Sequence, residues 1–543
     1  MKLFMLLAIA ATTAAGAVPY RVIAMTGMLL DYVAPGVKLE SASLQINRFD
    51  DELMVAQLFG TGVTNANNWA LIFTPAGSSP QVIAREGDQA LGMPLGTTYK
   101  WVRDFHLSDA GVVTSLISLD DQSSPSSALY RTDKAGTTLV LSNGMQAPGL
   151  DPGVLIDRVG AFNLIGSPFN ARGDFVIMAQ LASGIEDDWA VFLGQGGGLE
   201  PVLHMGDPIA GGPPGAGIDW YFNGDATAEA YLSNSGDLAF LGRYTEHNFD
   251  AWVIVASTES GFESIVRSGV PTRDGWTLDT DFIWDFQMNS RRDLIATSFI
   301  DHDTVLVHYP KDAAPRLLAR EHDRAPGFND DVRFLGVPGT SKLHTDGSLL
   351  FDARITGPGI DSSNRNAIFT ADPDGDVTLL LHEGKTDEGI DFVATGRPDT
   401  NGDNGLIVFL GRLVTSDLFG YFVYDETKGV RPLVIEGQLI DVNNGDFLAV
   451  DHVFEQSAKF IDRNRVLVTI RFTNTQVGYV VFDLGCGPAD LAASYGVKDL
   501  DDIDAFLDAY INSSEIADLA VPIGSLDVND IDAFLGSYVQ GCP

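Results

Sequence analysis

The sequence predicts an all-β, eight-bladed β-propeller closed by its own N-terminal strand, followed by a small α-helical domain. Three observations predict it. A pair of short apolar runs joined by a polar turn recurs along most of the chain. The first run of the mature chain lacks a mate before it, and the last lacks one after it. From residue 485 onward the patterning changes from strand-like to a duplicated helical stripe.

The first member of each pair reads ALIFT from Ala70, ALYRT from Ala128, AVFLG from Ala190 and AWVIV from Ala251. It continues as VLVHY from Val305, AIFTA from Ala367, GYFVY from Gly420 and GYVVF from Gly478. The mean period is (478 − 70)/7, about 58 residues, in the range of propeller blades. The second member ends at Gly87, Gly144, Gly206, Gly269, His322, Gly384 and Gly437. Turns such as Ala76-Gly77, Asp374-Gly375 and Lys428-Gly429 make each pair a β-hairpin. The eighth second member is VIAMTG, ending at Gly27, at the other end of the chain. A ring closes if this strand completes the last sheet, and closure removes exposed sheet edges.

Upstream of the hairpins lies a further phrase, clearest in SNSGDLAFLGRY from Ser233 and NARGDFVIMAQL from Asn170. Weaker copies start at Ser108 and His344. A turn glycine (Gly111, Gly173, Gly236, Gly347) separates two strands, the later one apolar and interior. These phrases resemble the secreted bacterial tandem-repeat proteins named for an NxxGxxAF signature, over most of residues 20–484, although SNSGDLAF lacks the first Asn. The resemblance implies a propeller-like repeat joined to varied anchors, and no established reaction.

The chain starts MKLFMLLAIAATTAAGAVPY. Lys2, the apolar stretch Leu3 to Ala11 and the small residues Ala15-Gly16-Ala17 read as a secretory signal peptide over residues 1–17. No later run approaches the length of a spanning helix. The expected product is secreted, soluble and associated with the cell surface, with the propeller over 18–484 and the helical domain over 485–543. With 34 basic and 73 acidic residues the net charge is −39, which argues against nucleic acid and anionic membranes as partners.

Catalytic signatures are sparse. The sequence contains no HExxH, GxSxG or P-loop, and two cysteines cannot build a Cys-rich zinc site. His204, His322 and His382 recur near the ends of the second hairpin strands, either as a ring of ligands or as a turn position tolerant of polar residues. Glu86, Glu321, Glu383 and Glu436 recur just before the terminal Gly or His. Two carboxylates about 5–10 Å apart would suit glycosidic chemistry, but a Glu repeated in half the blades reads better as a repeat feature. No catalytic residue is therefore assigned. The loop PDTNGDNG places Asp399, Asn401 and Asp403 at alternate positions, either a calcium loop or an Asx-rich turn.

In the C-terminal segment, Ile503, Phe506, Leu507, Tyr510 and Ile511 form a helical stripe, repeated in the second copy by Ile531, Phe534, Leu535, Tyr538 and Val539. Asp501 or Asp502, and Asn529 or Asp530, stand where N-caps are expected. The doubled DIDAFL, the flanking Cys486 and the terminal Gly541-Cys542-Pro543 resemble the dockerins of exported bacterial proteins. The resemblance implies a duplicated calcium loop–helix module that docks to a cohesin-type or cell-envelope receptor, here through Ile503, Phe506, Leu507, Ile531, Phe534 and Leu535. Its calcium ligands would be Asp490, Ser494, Asp499 and Asp502 in one loop, and Asp518, Asp527 and Asp530 in the other. Each loop is one residue longer than the usual spacing and lacks the intermediate carboxylates, so weak calcium binding or none is expected. A Cys486–Cys542 disulfide would close 57 residues and stabilise the segment by roughly 4 kcal/mol. The alternative leaves the cysteines free or paired between molecules.

Two functions follow as expectations. One is an exported, non-catalytic binding or display protein whose tail docks to a partner. The other is an extracellular polysaccharide hydrolase or lyase tethered by the same tail.

Overall fold

The computed structural model describes residues 18–485, 500–511, 517, 519 and 526–540, with interruptions inside the first range at 121–125, 161–167, 184–187, 213–216, 220–229, 247–248, 259–260, 270–276, 280–282, 284, 338–340, 385–389, 393–398, 401–405, 414–415, 426–428, 443–444 and 463. The signal-peptide reading, and with it residues 1–17, lies outside the described residues. Among the described residues no helix is long and apolar enough to cross a membrane.

Eight antiparallel sheets are present among the described residues, as the repeat count predicts, in an eight-bladed β-propeller arrangement. The first blade runs Val37–Ile46, Glu52–Gly60, Trp69–Thr74 and Gln81–Arg85 in spatial order. The second runs Thr98–Leu107, Val113–Asp120, Ser126–Asp133 and Gly136–Ser142. Each of the eight apolar hairpin runs is the third strand of a blade. Second and third strands are the most buried, as in Val113–Asp120 and Ser126–Asp133, because both faces of these central strands are covered.

The chain divides into two compact units. Residues 29–384 hold the first six blades. Apolar layers lie between successive blades. One joins Leu71 and Phe73 to Tyr99, Val102 and Ile117; another joins Leu129 and Leu141 to Phe175, Ile177 and Phe192. The other unit holds the last two blades, with one layer running from Tyr421 and Leu410 to Val468, Phe472 and Phe482.

Closure by the N-terminal strand is observed. Tyr20–Met25 pairs with Val477–Asp483 and becomes the fourth strand of the eighth blade. A shared irregularity identifies it as the missing copy. Every fourth strand carries a one-residue bulge opposite the third, with an apolar residue left out of the pairing: Ile83, Val140, Val202, Ile265, Leu318, Leu380 and Leu433. Ile23 takes that place in the N-terminal strand. A bulge puts two consecutive apolar residues on a strand that otherwise alternates.

The recurring turn phrase has two forms that alternate along the first six blades. In blades one, three and five it begins with Asn47, Asn170 and Asn289. Each Asn Nδ2 donates to the carboxylate four residues on (Asp51 2.8 Å, Asp174 3.0 Å, Asp293 3.1 Å) and to a carbonyl of the next blade (Ser108 2.9 Å, Ser233 3.2 Å, His344 2.8 Å). These buried staples tie blades in pairs. The fourth turn position is left-handed even without glycine: Asp50 and Arg292 have φ of 68° and 68°. At Gly111 a side chain is excluded twice over, since φ is 69° and a Cβ would lie 2.9 Å from Asp51 Oδ2.

Candidate ligand-binding groove

A groove of about 400 Å³ opens between the second and third blades. Its wall is the strand Thr98–Leu107, whose pairing with Val113–Asp120 slips twice, leaving Lys100 and Arg103 outside the register. Two bulges within four residues turn Lys100, Trp101 and Arg103 outward instead of letting them alternate. All three are exposed, Trp101 by 59%. Arg158 comes from the third blade, directly after the corresponding bulge at Asp157. Ser118, Leu119, Ser126, Ser127 and Asn143 complete the lining.

The polar lining is held in place by backbone contacts. Asn143 Oδ1 accepts from Ser127 N (3.3 Å), and its Nδ2 donates to the Asp157 carbonyl. Ser127 Oγ donates to the Val159 carbonyl at 3.1 Å, tying the two blades beneath the groove. The Ser126 hydroxyl is buried and has no hydrogen-bond partner among the described residues.

The charge of this groove runs against that of the chain, in which acids outnumber bases 73 to 34. Elsewhere arginines find acids readily, as in Arg48–Asp109 at 3.1 Å, Arg172–Asp174 at 3.0 Å and Arg320–Asp303 at 2.8 Å. Among the described residues, no ion pair involves Lys100, Arg103 or Arg158. The next residue along the strand faces the other way. Burial pushes the Asp104 carboxyl up to about 6, against an opposing hydrogen bond from Phe105 N. Burial pushes His106 down to about 4; its ring stacks on Phe169 at 4.4 Å. The space beside Asp104 is only about 10 Å³, room for one water at most.

The recurring acids and histidines do not converge. Glu86, Glu321, Glu383 and Glu436 each accept from a backbone N–H within one residue of the start of their own third strand: Asn68 (2.9 Å), Thr304 (3.2 Å), Asn366 (3.3 Å) and Phe419 (3.2 Å). In blades two and four, Asn143 and Ser268 accept likewise from third-strand N–H groups, those of Ser127 and Trp252. The repeated Glu is thus a hairpin fastener. His204, His322 and His382 sit at the edge strands of three different blades, bonded to Asp188 (2.7 Å), Asp303 (3.2 Å) and the Asn364 carbonyl (2.6 Å). Among the described residues no group of three or more His, Cys, Asp or Glu is arranged to hold a metal. Asp399 Oδ2 accepts from Phe460 N at 2.8 Å, fastening blade seven to blade eight. Asn401 and Asp403 lie outside the described residues.

Among the described residues the tail contains two helices, α1 (Leu500–Ile511) and α2 (Val528–Gln540). They begin earlier than the capping residues read from the sequence. The cap of α2 is Asp527, not Asn529 or Asp530: its Oδ1 accepts from Asn529 N at 2.7 Å. Asp530, at the third helical position, reaches back to Asp527 N at 2.8 Å, which completes a capping box. Its other oxygen accepts from Leu519 N at 2.7 Å. Likewise Asp501 and Asp502 fall inside α1. Asp490, Ser494, Asp499, Asp518, Cys486 and Cys542, and the side chain of Asp502, lie outside the described residues. Of the six apolar residues assigned to docking, Phe506 and Phe534 stack on each other at 4.2 Å, each 2% exposed, with Ile503 and Ile531 packed around them. Leu507 and Leu535 are left exposed.

Sequence reasoning missed the groove, because its cations come from two successive repeats and form no contiguous motif.

A family model described as "Family of unknown function (DUF7453)" matches residues 22–269, 187–392 and 311–466, leaving the tail outside. No curated protein matches the chain. Among solved structures, an oligogalacturonate lyase in complex with manganese is similar at 10% identity and TM-score 0.37, over 86% of this chain and 98% of that one. The Dos1 propeller is similar at 11% identity and TM-score 0.36, over 82% and 92%. The β-propeller domain of the Trilobed protease from Pyrococcus furiosus, which has an open velcro topology, is similar at 9% identity and TM-score 0.35, over 71% and 93%. At these scores the similarities carry nothing about chemistry.

Proposed function

This chain belongs to DUF7453, a family of unknown function, and we propose that it is an exported, non-catalytic binding and display protein. Its propeller holds a ligand in the groove between the second and third blades. Its helical tail anchors it to a cohesin-type or other cell-envelope partner. The observation that carries the binding reading is the grouping of Lys100, Arg103 and Arg158 around exposed Trp101, with no ion pair to any of the three cations among the described residues, in a chain of net charge −39. Exposed aromatic and arginine side chains are the common anchors of binding surfaces.

The competing reading is a tethered polysaccharide hydrolase or lyase. Asp104 has the carboxyl pKa suited to an acid, about 6, but lies on the buried side of its strand. The four repeated glutamates are committed to backbone N–H groups. Incubation with polysaccharides should therefore release no new reducing ends. Release abolished by one acidic substitution would favour the enzyme. For the anchor, a chain truncated after Leu484 should be shed into the medium while the full chain stays on cells. Equal retention would refute the docking role.

A further inference from the structure

We infer that the groove takes a linear anionic saccharide, its ring face against Trp101 and its carboxylates or sulfates against Lys100, Arg103 and Arg158. The inference rests on the binding reading above and adds the chemical class.

Charge alone would recruit any anion, but this groove offers more. The double bulge holds an exposed indole between two cations on the same strand. An indole face packs on the C–H face of a sugar ring, which has an apolar side and polar edges. Hydroxyl and amide groups line the groove as well: Ser126, Ser127 and Asn143. The Ser126 hydroxyl has no hydrogen-bond partner among the described residues, although buried hydroxyls ordinarily find one. Cations come from both blades, at Arg103 and Arg158, which suits a chain carrying charge on successive units better than a single small anion. Elsewhere the strong negative charge opposes polyanions, so retention depends on contacts inside the groove.

The test uses the full chain in calorimetric titrations with alginate, dextran sulfate, neutral dextran and polyglutamate. Alginate and dextran sulfate supply the carboxylate and sulfate arms. Saturable binding is expected to at least one of them, with none to dextran or polyglutamate. Trp101→Ala, and Arg103→Gln with Arg158→Gln, should each weaken it at least tenfold. Lys38→Gln, an exposed cation outside the groove, should leave it unchanged. Unaltered urea midpoints would establish that the variants fold. Equal binding of polyglutamate would overturn the saccharide class, and equal binding of dextran the charge requirement. In both cases loss in the groove variants would keep the groove as the binding site. No binding to either anionic glycan would overturn the inference. Binding that every groove variant retains would overturn the groove reading itself.

Discussion

Tyr20 and Phe482 face each other across one strand pair, rings 5.8 Å apart, although they stand at opposite ends of the propeller sequence. Tyr20 also accepts from Asp441 N at 2.7 Å through its hydroxyl, so one side chain fastens the N-terminus to two strands of the eighth blade. Deleting Tyr20–Met25 is expected to leave Val477–Asp483 as an open edge and to produce aggregation, read by light scattering. Phe482→Ala, at a fully buried ring, should cost about 3–5 kcal/mol in urea denaturation. An unchanged urea midpoint in that variant would contradict the closure.

The blade-pairing staples make a second prediction. Asn170→Ala removes a donor from the buried Asp174 and from the Ser233 carbonyl, and should destabilise by about 1–3 kcal/mol. A double-mutant cycle with Asp174→Ala should show coupling. Additive effects would mean the contact contributes nothing.

Asp104 gives stability a pH dependence. Its folded carboxyl, near 6, lies above the usual carboxylate value because burial disfavours the charge. The folded state therefore holds a proton that the unfolded state releases between about pH 4 and 6. Stability falls across that window, and the full penalty, on the order of 3 kcal/mol, stands above it. Asp104→Asn should thus be more stable than the wild type at pH 8 and equal to it at pH 4. His106 acts with the opposite slope: its folded value near 4 means that acid costs stability from about pH 6.5 downward. Paired melts of the variant and the wild type at the two pH values isolate the Asp104 contribution.

In the tail, Asp530→Ala should cost about 1–3 kcal/mol of helical stability, because its carboxylate completes the capping box of α2 by accepting from Asp527 N and also holds Leu519 N. EDTA should leave the helical circular dichroism unchanged, whereas reduction should loosen it if Cys486 and Cys542 are joined. Unfolding by EDTA alone would restore calcium as the staple.

The repeat was readable because third strands are buried on both faces and so appear as unbroken apolar runs. First strands were not. They are partly exposed and bulged, as in Thr98–Leu107, and present no clean period. Turns with glycine were recognised. Those at Asp50 and Arg292 were not, because there the Asn–Asp staples hold a left-handed residue without one. The repeated Glu was visible, but its role was not, since a side-chain bond to a backbone N–H at the far end of the hairpin leaves no trace in composition. The groove depends on two blades meeting, which no local pattern records.

The most direct measurement is the affinity of the full chain for alginate and for dextran sulfate, with and without Arg103→Gln and Arg158→Gln, alongside the polymer length before and after incubation. The prediction is saturable binding to at least one of the two that falls at least tenfold in the double variant while the polymer keeps its length. Equal affinity in both proteins, or a shortened polymer, would contradict it.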